Sequence, residues 1–142
     1  MRSAVAQILD ANHECARQLW CERDAVSLAN ADLHDRFVNT PGNPRFNAKF
    51  RYDDLGGIGS DARSFGSSRH LLADLKERLS RGGLGAAMWL TFPIDHQRDF
   101  TLILHREPGD FRDVNAAEED FLGMLLPHLM RAVRLNAAIG PM

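Results

Sequence analysis

Six histidines, His13, His34, His70, His96, His105 and His128, carry most of the scope for chemistry in this chain. As metal ligands they would need a close pair on one face, as in His-Glu-x-x-His, and no such pair occurs. A scattered site built from His105, His128 and a carboxylate is the arrangement left open. The plainer reading makes His128, beside Pro127, a hydrogen-bonded side chain at a helix packing surface, and His105 a strand-end side chain. Ser60, Ser64, Ser67 and Ser68 lie near Asp61 and His70 in sequence. A nucleophilic serine requires a base, an orienting group and an oxyanion site. No Gly-x-Ser-x-Gly elbow is present, and helix capping accounts for Ser68. Gly57-Ile58-Gly59 lacks the Gly-Lys-Ser/Thr that would make it a phosphate loop. Asp53-Asp54 reads as a solvated loop. Cys15 and Cys21 form neither a Cys-x-x-Cys pair nor a haem-attachment motif, and are expected to be half-buried free thiols. These patterns predict no catalytic residues, no metal and no cofactor.

The bulk properties agree with an ordinary globular domain. At 142 residues the chain is long enough for one domain with its own core, and its 44% apolar and 25% charged content is typical of such domains. A net charge of -2 supplies no basic field for nucleic acid or anionic lipid. No apolar run approaches the roughly 18–20 residues that span a bilayer. The start, Met1-Arg2-Ser3-Ala4-Val5, has no long apolar segment of the secretory kind. A cytoplasmic setting is the expectation.

Two readings of the N-terminus stay open. Val5, Ile8, Leu9, Asn12, Cys15, Ala16, Leu19 and Trp20 recur at helical spacing, and this unbroken stripe favours one amphipathic helix over about 3–21. The alternative is a strand over Ala6–Asn12, with Asn12 capping a helix from His13. Residues 24–29 read as a short strand, and 39–44 and 56–60 as loops. Ser68 should cap a helix over 69–81, striped by Leu71, Leu72, Leu75 and Leu79 and ended by Gly82-Gly83. Met88, Leu90, Phe92 and Ile94 alternate along one strand, and Phe100, Leu102 and Leu104 along the next. Asp95-His96-Gln97-Arg98 is the turn of that hairpin. The opposite face, with Trp89, Thr91, Thr101, Ile103 and His105, is partly apolar, so helices should cover part of both faces. Asn115 with Glu118 makes a capping box for a helix over 116–138.

That last helix is too apolar for one face. Phe121, Leu126, Met130 and Val133 are assigned to the domain core. Leu122, Leu125, Leu129, Ala132, Asn136 and Ile139 fall at alternating three- and four-residue steps, a seam of coiled-coil type. Leu122, Leu125, Leu129 and Ala132 are therefore the dimer-interface candidates. Pro127 crowds the carbonyl of Gly123, which predicts a bend between Gly123 and Pro127.

A strand ending in His105-Arg106, then Asp110-Phe111, an acidic helix start and Leu126-Pro127-His128-Leu129-Met130-Arg131-Ala132-Val133 form one connected pattern. With Arg63-Ser64-Phe65 and Gly83-Leu84-Gly85, it resembles the sensory region of LuxR-type helix-turn-helix transcriptional regulators. The likeness is best over residues 64–139, and the run 126–133 is its most specific part. The resemblance implies an α+β, PAS/GAF-like domain over 1–142, with a central antiparallel sheet of about five strands, flanking helices and a long C-terminal helix. No PAS-type flavin-attachment cysteine motif is visible.

It also implies a signal-sensing and dimerising regulatory role: a homodimer, a small-molecule ligand of unknown identity, and no nucleic-acid or membrane contact by this stretch, which lacks the DNA-binding module. The competing reading is a ligand-free interaction module with a filled core. A pocket is expected between the sheet face of Met88, Leu90, Phe92 and Leu102 and the aromatic pair Phe50 and Tyr52, because small-molecule sites are apolar clefts with few polar groups.

Overall fold

The alternating run from Met88 to Leu104 folds, in the computed structural model, into the hairpin that organises the sheet. The structure describes residues 2–10, 17–38, 40, 42–46 and 57–139. The elements run β1 Ser3–Asp10, β2 Arg17–Arg23, α1 Ala25–Ala29, α2 Ala31–Phe37, a 3-10 turn Pro44–Phe46 and β3 Ile58–Ser60. Then follow α3 Asp61–Phe65, α4 Arg69–Arg81, β4 Ala87–Pro93, β5 Arg98–His105 and α5 Ala116–Ile139. All strand pairings are antiparallel, in the order β2-β1-β5-β4-β3. This is the expected α+β architecture, a five-stranded antiparallel sheet with flanking helices and a long C-terminal helix. Among the described residues no helix is long and apolar enough to cross a membrane.

Local chemistry explains the elements that were expected. The Asp95 carboxylate accepts from the backbone N–H of Gln97 and Arg98, both at 2.8 Å, which closes the β4–β5 turn. Ser68 Oγ accepts from Leu71 N at 3.3 Å to start α4, and Gly82 ends it, with Gly83 at φ +74°. Asn115 and Glu118 cap α5 reciprocally: Glu118 N–H donates to Asn115 Oδ1 at 2.8 Å, and Asn115 N–H to Glu118 Oε1 at 3.0 Å.

Three expectations are corrected. The helix over 3–21 is instead the two strands β1 and β2. β1 lies between β2 and β5 and is covered on both faces: Ile8 packs with Phe92 and Phe100, while Gln7 and Leu9 are buried on the other side. A doubly covered strand carries apolar residues at both parities, and such a run fills a helical stripe equally well. The cap placed at Asn12 lies outside the described residues. The strand over 24–29 is the short helix α1, because Asp24 Oδ1 accepts from Ser27 N at 2.9 Å while Oδ2 accepts from Ala4 N at 2.8 Å. The loop over 56–60 contains the edge strand β3. Gly59 opposes Trp89 there, and a Cβ on Gly59 would collide with the indole ring, so this glycine makes room for Trp89.

Two cores sandwich the sheet. On one face Met88, Leu90 and Ile58 pack against Leu122, with Leu102, Leu104, Leu125, Leu126 and Leu129 around them. The Phe92 and Phe100 rings stack at 5.1 Å between centroids, beside Met130 and Val133. Each such side chain contributes about 1.5–3 kcal/mol on burial. A second core, away from α5, joins Val38, Phe65, Leu75, Leu79 and Leu84.

Candidate functional site

The sheet face turned away from α5 is built from both kinds of side chain. Strand alternation places Val5, Gln7 and Leu9 of β1, Trp89 and Thr91 of β4, and Thr101, Ile103 and His105 of β5 on this face. The end of α2, the 3-10 turn and α3 close over it with Val38, Asn43, Arg45, Ser64 and Phe65. Between them lies a cavity of about 70 Å³. Since one water needs roughly 10–15 Å³, it has room for a small cluster of heavy atoms.

An ion pair forms one wall. Arg45 Nε donates to Asp61 Oδ1 at 2.8 Å, and Arg45 Nη2 to Asp61 Oδ2 at 2.6 Å. Asp61 Oδ2 also accepts from Ala87 N at 2.8 Å. This fork-to-fork geometry fixes the guanidinium plane. The remaining end, Nη1, donates to His105 Nε2 at 2.8 Å. Arginine has no acceptor, so Nε2 must be the bare nitrogen and Nδ1 carries the proton. His105 Nδ1 and Ser64 Oγ have no hydrogen-bond partner among the described residues, although the two residues are only 5% and 7% exposed. Asn43 is satisfied: its Nδ2 donates to Val38 O and its Oδ1 accepts from Arg45 N. Thr91 and Thr101 pair across the strands at 3.2 Å.

Burial holds the His105 ring well below the ordinary imidazole range, and the charges of Arg45 and His34 push the same way. Burial also lowers His34. Unfolded, both rings return to a value near 6.5 and bind protons more readily than in the fold. Stability is therefore full above about pH 6.5 and falls as the pH drops below it. Asp95 and Glu118 are lowered as well, and Asp110 to about 2. Those carboxylates lose their contribution only below about pH 4, so the two windows separate. Urea unfolding at about pH 7.5 and about pH 5.5 is expected to show a lower midpoint at the acid value. Equal midpoints would mean that neither ring is held neutral.

The sequence placed the pocket elsewhere. Met88, Leu90, Phe92 and Leu102 pack against α5 and its neighbours as core, on the opposite face from the cavity. A fully apolar strand face is what a covering helix buries; the mixed face with Trp89, two threonines and His105 is the one left with polar groups inside. Phe50 and Tyr52 lie outside the described residues, as do His13, Cys15, Asp53 and Asp54. The scattered site of His105 and His128 does not assemble. His105 is buried at the cavity and His128 is exposed on α5, which also corrects its expected role at a packing surface. Arg45 and Asp61 were missed, since a pair 16 residues apart leaves no local signal.

The serines have separate tasks. Ser60 Oγ accepts from Arg63 N at 3.2 Å and donates to Asp113 at 2.6 Å; Ser67 and His70 are exposed. Among the described residues, no group of three metal-type ligands is present, and Cys21 is a free, partly exposed thiol.

Just past the cavity, Arg106 reaches the other way. Its Nη1 and Nη2 donate to the Glu118 carboxylate at 2.9 and 2.6 Å, its Nε to Arg112 O at 3.0 Å, and Nη2 also to Asp113 O at 2.9 Å. The adjacent pair His105-Arg106 thus touches the cavity with one residue and the first turn of α5 with the next.

On α5 the interface candidates divide. Leu122 is 1% exposed and belongs to the core, so it is withdrawn as an interface residue. Leu125 and Leu129 are partly buried against the sheet, and Ala132 is exposed. Phe121, assigned to the core, is 60% exposed. The helix continues through Gly123 and Pro127, both on its exposed side. Comparison of the chain with protein-family models, with curated proteins and with solved structures finds no match.

Proposed function

We propose that this chain is a signal-sensing and dimerising regulatory domain, of the kind that LuxR-type transcriptional regulators carry ahead of their DNA-binding module. The observation that carries this reading is the cavity, where His105 and Ser64 each have a buried polar atom without a partner among the described residues and His105 is one residue from the Arg106 clamp on α5. A ligand that binds His105 better in one of two arrangements shifts the population toward it, and the strand end carries Arg106 and α5 along. No catalytic role is assigned to any residue.

Dimerisation is placed on a neighbouring stripe to the one first expected. Phe121, Met124 and Leu135 are 60%, 74% and 58% exposed. With His128 and Arg131 between them, they follow alternating steps of three and four residues along α5. This stripe also supports the second reading, a dimerising interaction module that senses nothing.

Native mass spectrometry tests both readings. A dimer carrying a mass released on denaturation supports the sensor, and a dimer without added mass supports the module. A monomer at all concentrations overturns the dimer in either reading. Phe121→Glu with Met124→Glu is expected to weaken the dimer about a hundredfold, the effect of losing one central apolar anchor or more. Both positions are exposed, so the fold should be retained in circular dichroism.

A further inference from the structure

We infer that the cavity selects a small uncharged molecule with a carbonyl-type oxygen on an apolar body, held by the Nδ1–H of His105 and the hydroxyl of Ser64. This rests on the sensor reading and names the chemistry of its ligand. The tautomer decides the first contact. Arg45 Nη1–H occupies Nε2, so the group His105 has left to offer is a donor, and it requires an acceptor. Ser64, which also lines the cavity and whose Oγ has no partner among the described residues, supplies a second hydroxyl donor.

Charge decides against an anion. Among the described residues the cation lining the cavity is Arg45, which already has two bonds to Asp61 and a third donor on His105, and the pair is neutral as a unit. His105 is itself uncharged, so a carboxylate entering the cavity would be desolvated without a free counter-charge. Charge decides equally against a cation, since Asp61 is saturated by Arg45 and the Ala87 N–H. The polar side chains of Gln7, Asn43, Thr91 and Thr101 also line it and bond to other protein groups, while Val5, Leu9, Val38, Phe65, Trp89 and Ile103 form an apolar and aromatic wall that suits a hydrocarbon body. Ketones, esters and amides of modest size fit both requirements.

Three probes of one shape separate the possibilities: acetophenone, ethylbenzene and benzoate, titrated into the whole chain. Trp89 lines the cavity, so its fluorescence reports occupancy, read in a Trp20→Phe background. The His105 ring nitrogen resonances report the bond itself. Acetophenone is expected to bind about tenfold more tightly than ethylbenzene, as a buried donor left unmet disfavours the hydrocarbon. Benzoate should bind more weakly than acetophenone, and the Nδ1 signal should shift with acetophenone alone.

Ser64→Ala should reduce the preference for acetophenone over ethylbenzene, and His105→Phe should abolish it. Ser64→Ala is a small change that keeps the test usable if His105→Phe fails to fold. Equal binding of ketone and hydrocarbon overturns the inference, as does preferred binding of benzoate, though either leaves a ligand site in place. No binding of any probe overturns it together with a small-molecule sensor. Ketone preference without any change in the dimer or in α5 exchange upholds the inference and removes the sensor reading instead.

Discussion

Replacing Asp61 with alanine is expected to cost about 3–5 kcal/mol of folding free energy, the loss that follows removal of one partner from a buried ion pair. The side chains of Arg45 and Asp61 are 8% and 4% exposed, so neither charge is well hydrated in the fold. Without Asp61 the guanidinium stays buried, with its bond to His105 the one left among the described residues, and the Ala87 N–H at the start of β4 loses its acceptor. A domain is stable by only roughly 5–15 kcal/mol, so this single change removes a large share. Asp61→Asn keeps an acceptor oxygen but forfeits the charge and sets an amide donor against donors; its expected cost is about 2 kcal/mol.

Arg45→Met together with Asp61→Leu separates the ion pair from simple loss of volume. The double variant should lose less than Asp61→Ala, because no buried charge is left alone, although the Ala87 N–H remains unmet. Urea titrations with an unchanged slope give the comparison. A loss below about 1 kcal/mol for Asp61→Ala would show that the pair is hydrated in solution and that it does not hold the wall of the cavity.

The hairpin, α4 and α5 are legible in the sequence because their signals are local. Asp95 in the turn, Ser68 and Gly82 around α4, and Asn115 with Glu118 at α5 each satisfy backbone groups within a few residues. The N-terminal strands are not legible in this way. β1 pairs with β5, Ser3 lying opposite His105 far along the chain, and with β2, and those pairings set its conformation. The site follows the same division. Strand parity correctly grouped Trp89, Thr91, Thr101, Ile103 and His105, but it could not say which face α5 covers. The polar content of that group was the available signal, because a cavity retains polar side chains that a helix-covered face excludes. On α5, two stripes of similar apolarity lie side by side, so the exposed one is known only once Leu122 is seen inside the core.

Arg106→Leu is expected to destabilise the domain by about 3 kcal/mol, the lower end of the range for breaking a buried pair. The lower end applies because Glu118 keeps 24% of its side chain exposed and can be partly hydrated once alone, whereas the Arg106 side chain is 9% exposed. The lost bonds are unequal in consequence. Those to Arg112 O and Asp113 O order the approach to α5, and those to Glu118 hold its first turn against the end of β5. Glu118 Oε1 keeps its capping bond from Asn115 N, so α5 should remain helical.

Hydrogen exchange should therefore accelerate across 107–120 while the amides of β4 and β5 stay protected. Arg106→Lys is not expected to rescue, since an ammonium cannot reproduce a planar fork that serves a carboxylate and two carbonyls together. Uniform acceleration over the whole sheet would mean that Arg106 merely supports the fold. Acceleration confined to the start of α5 would make it the joint through which the end of β5, and His105 with it, is coupled to the exposed stripe of Phe121 and Met124.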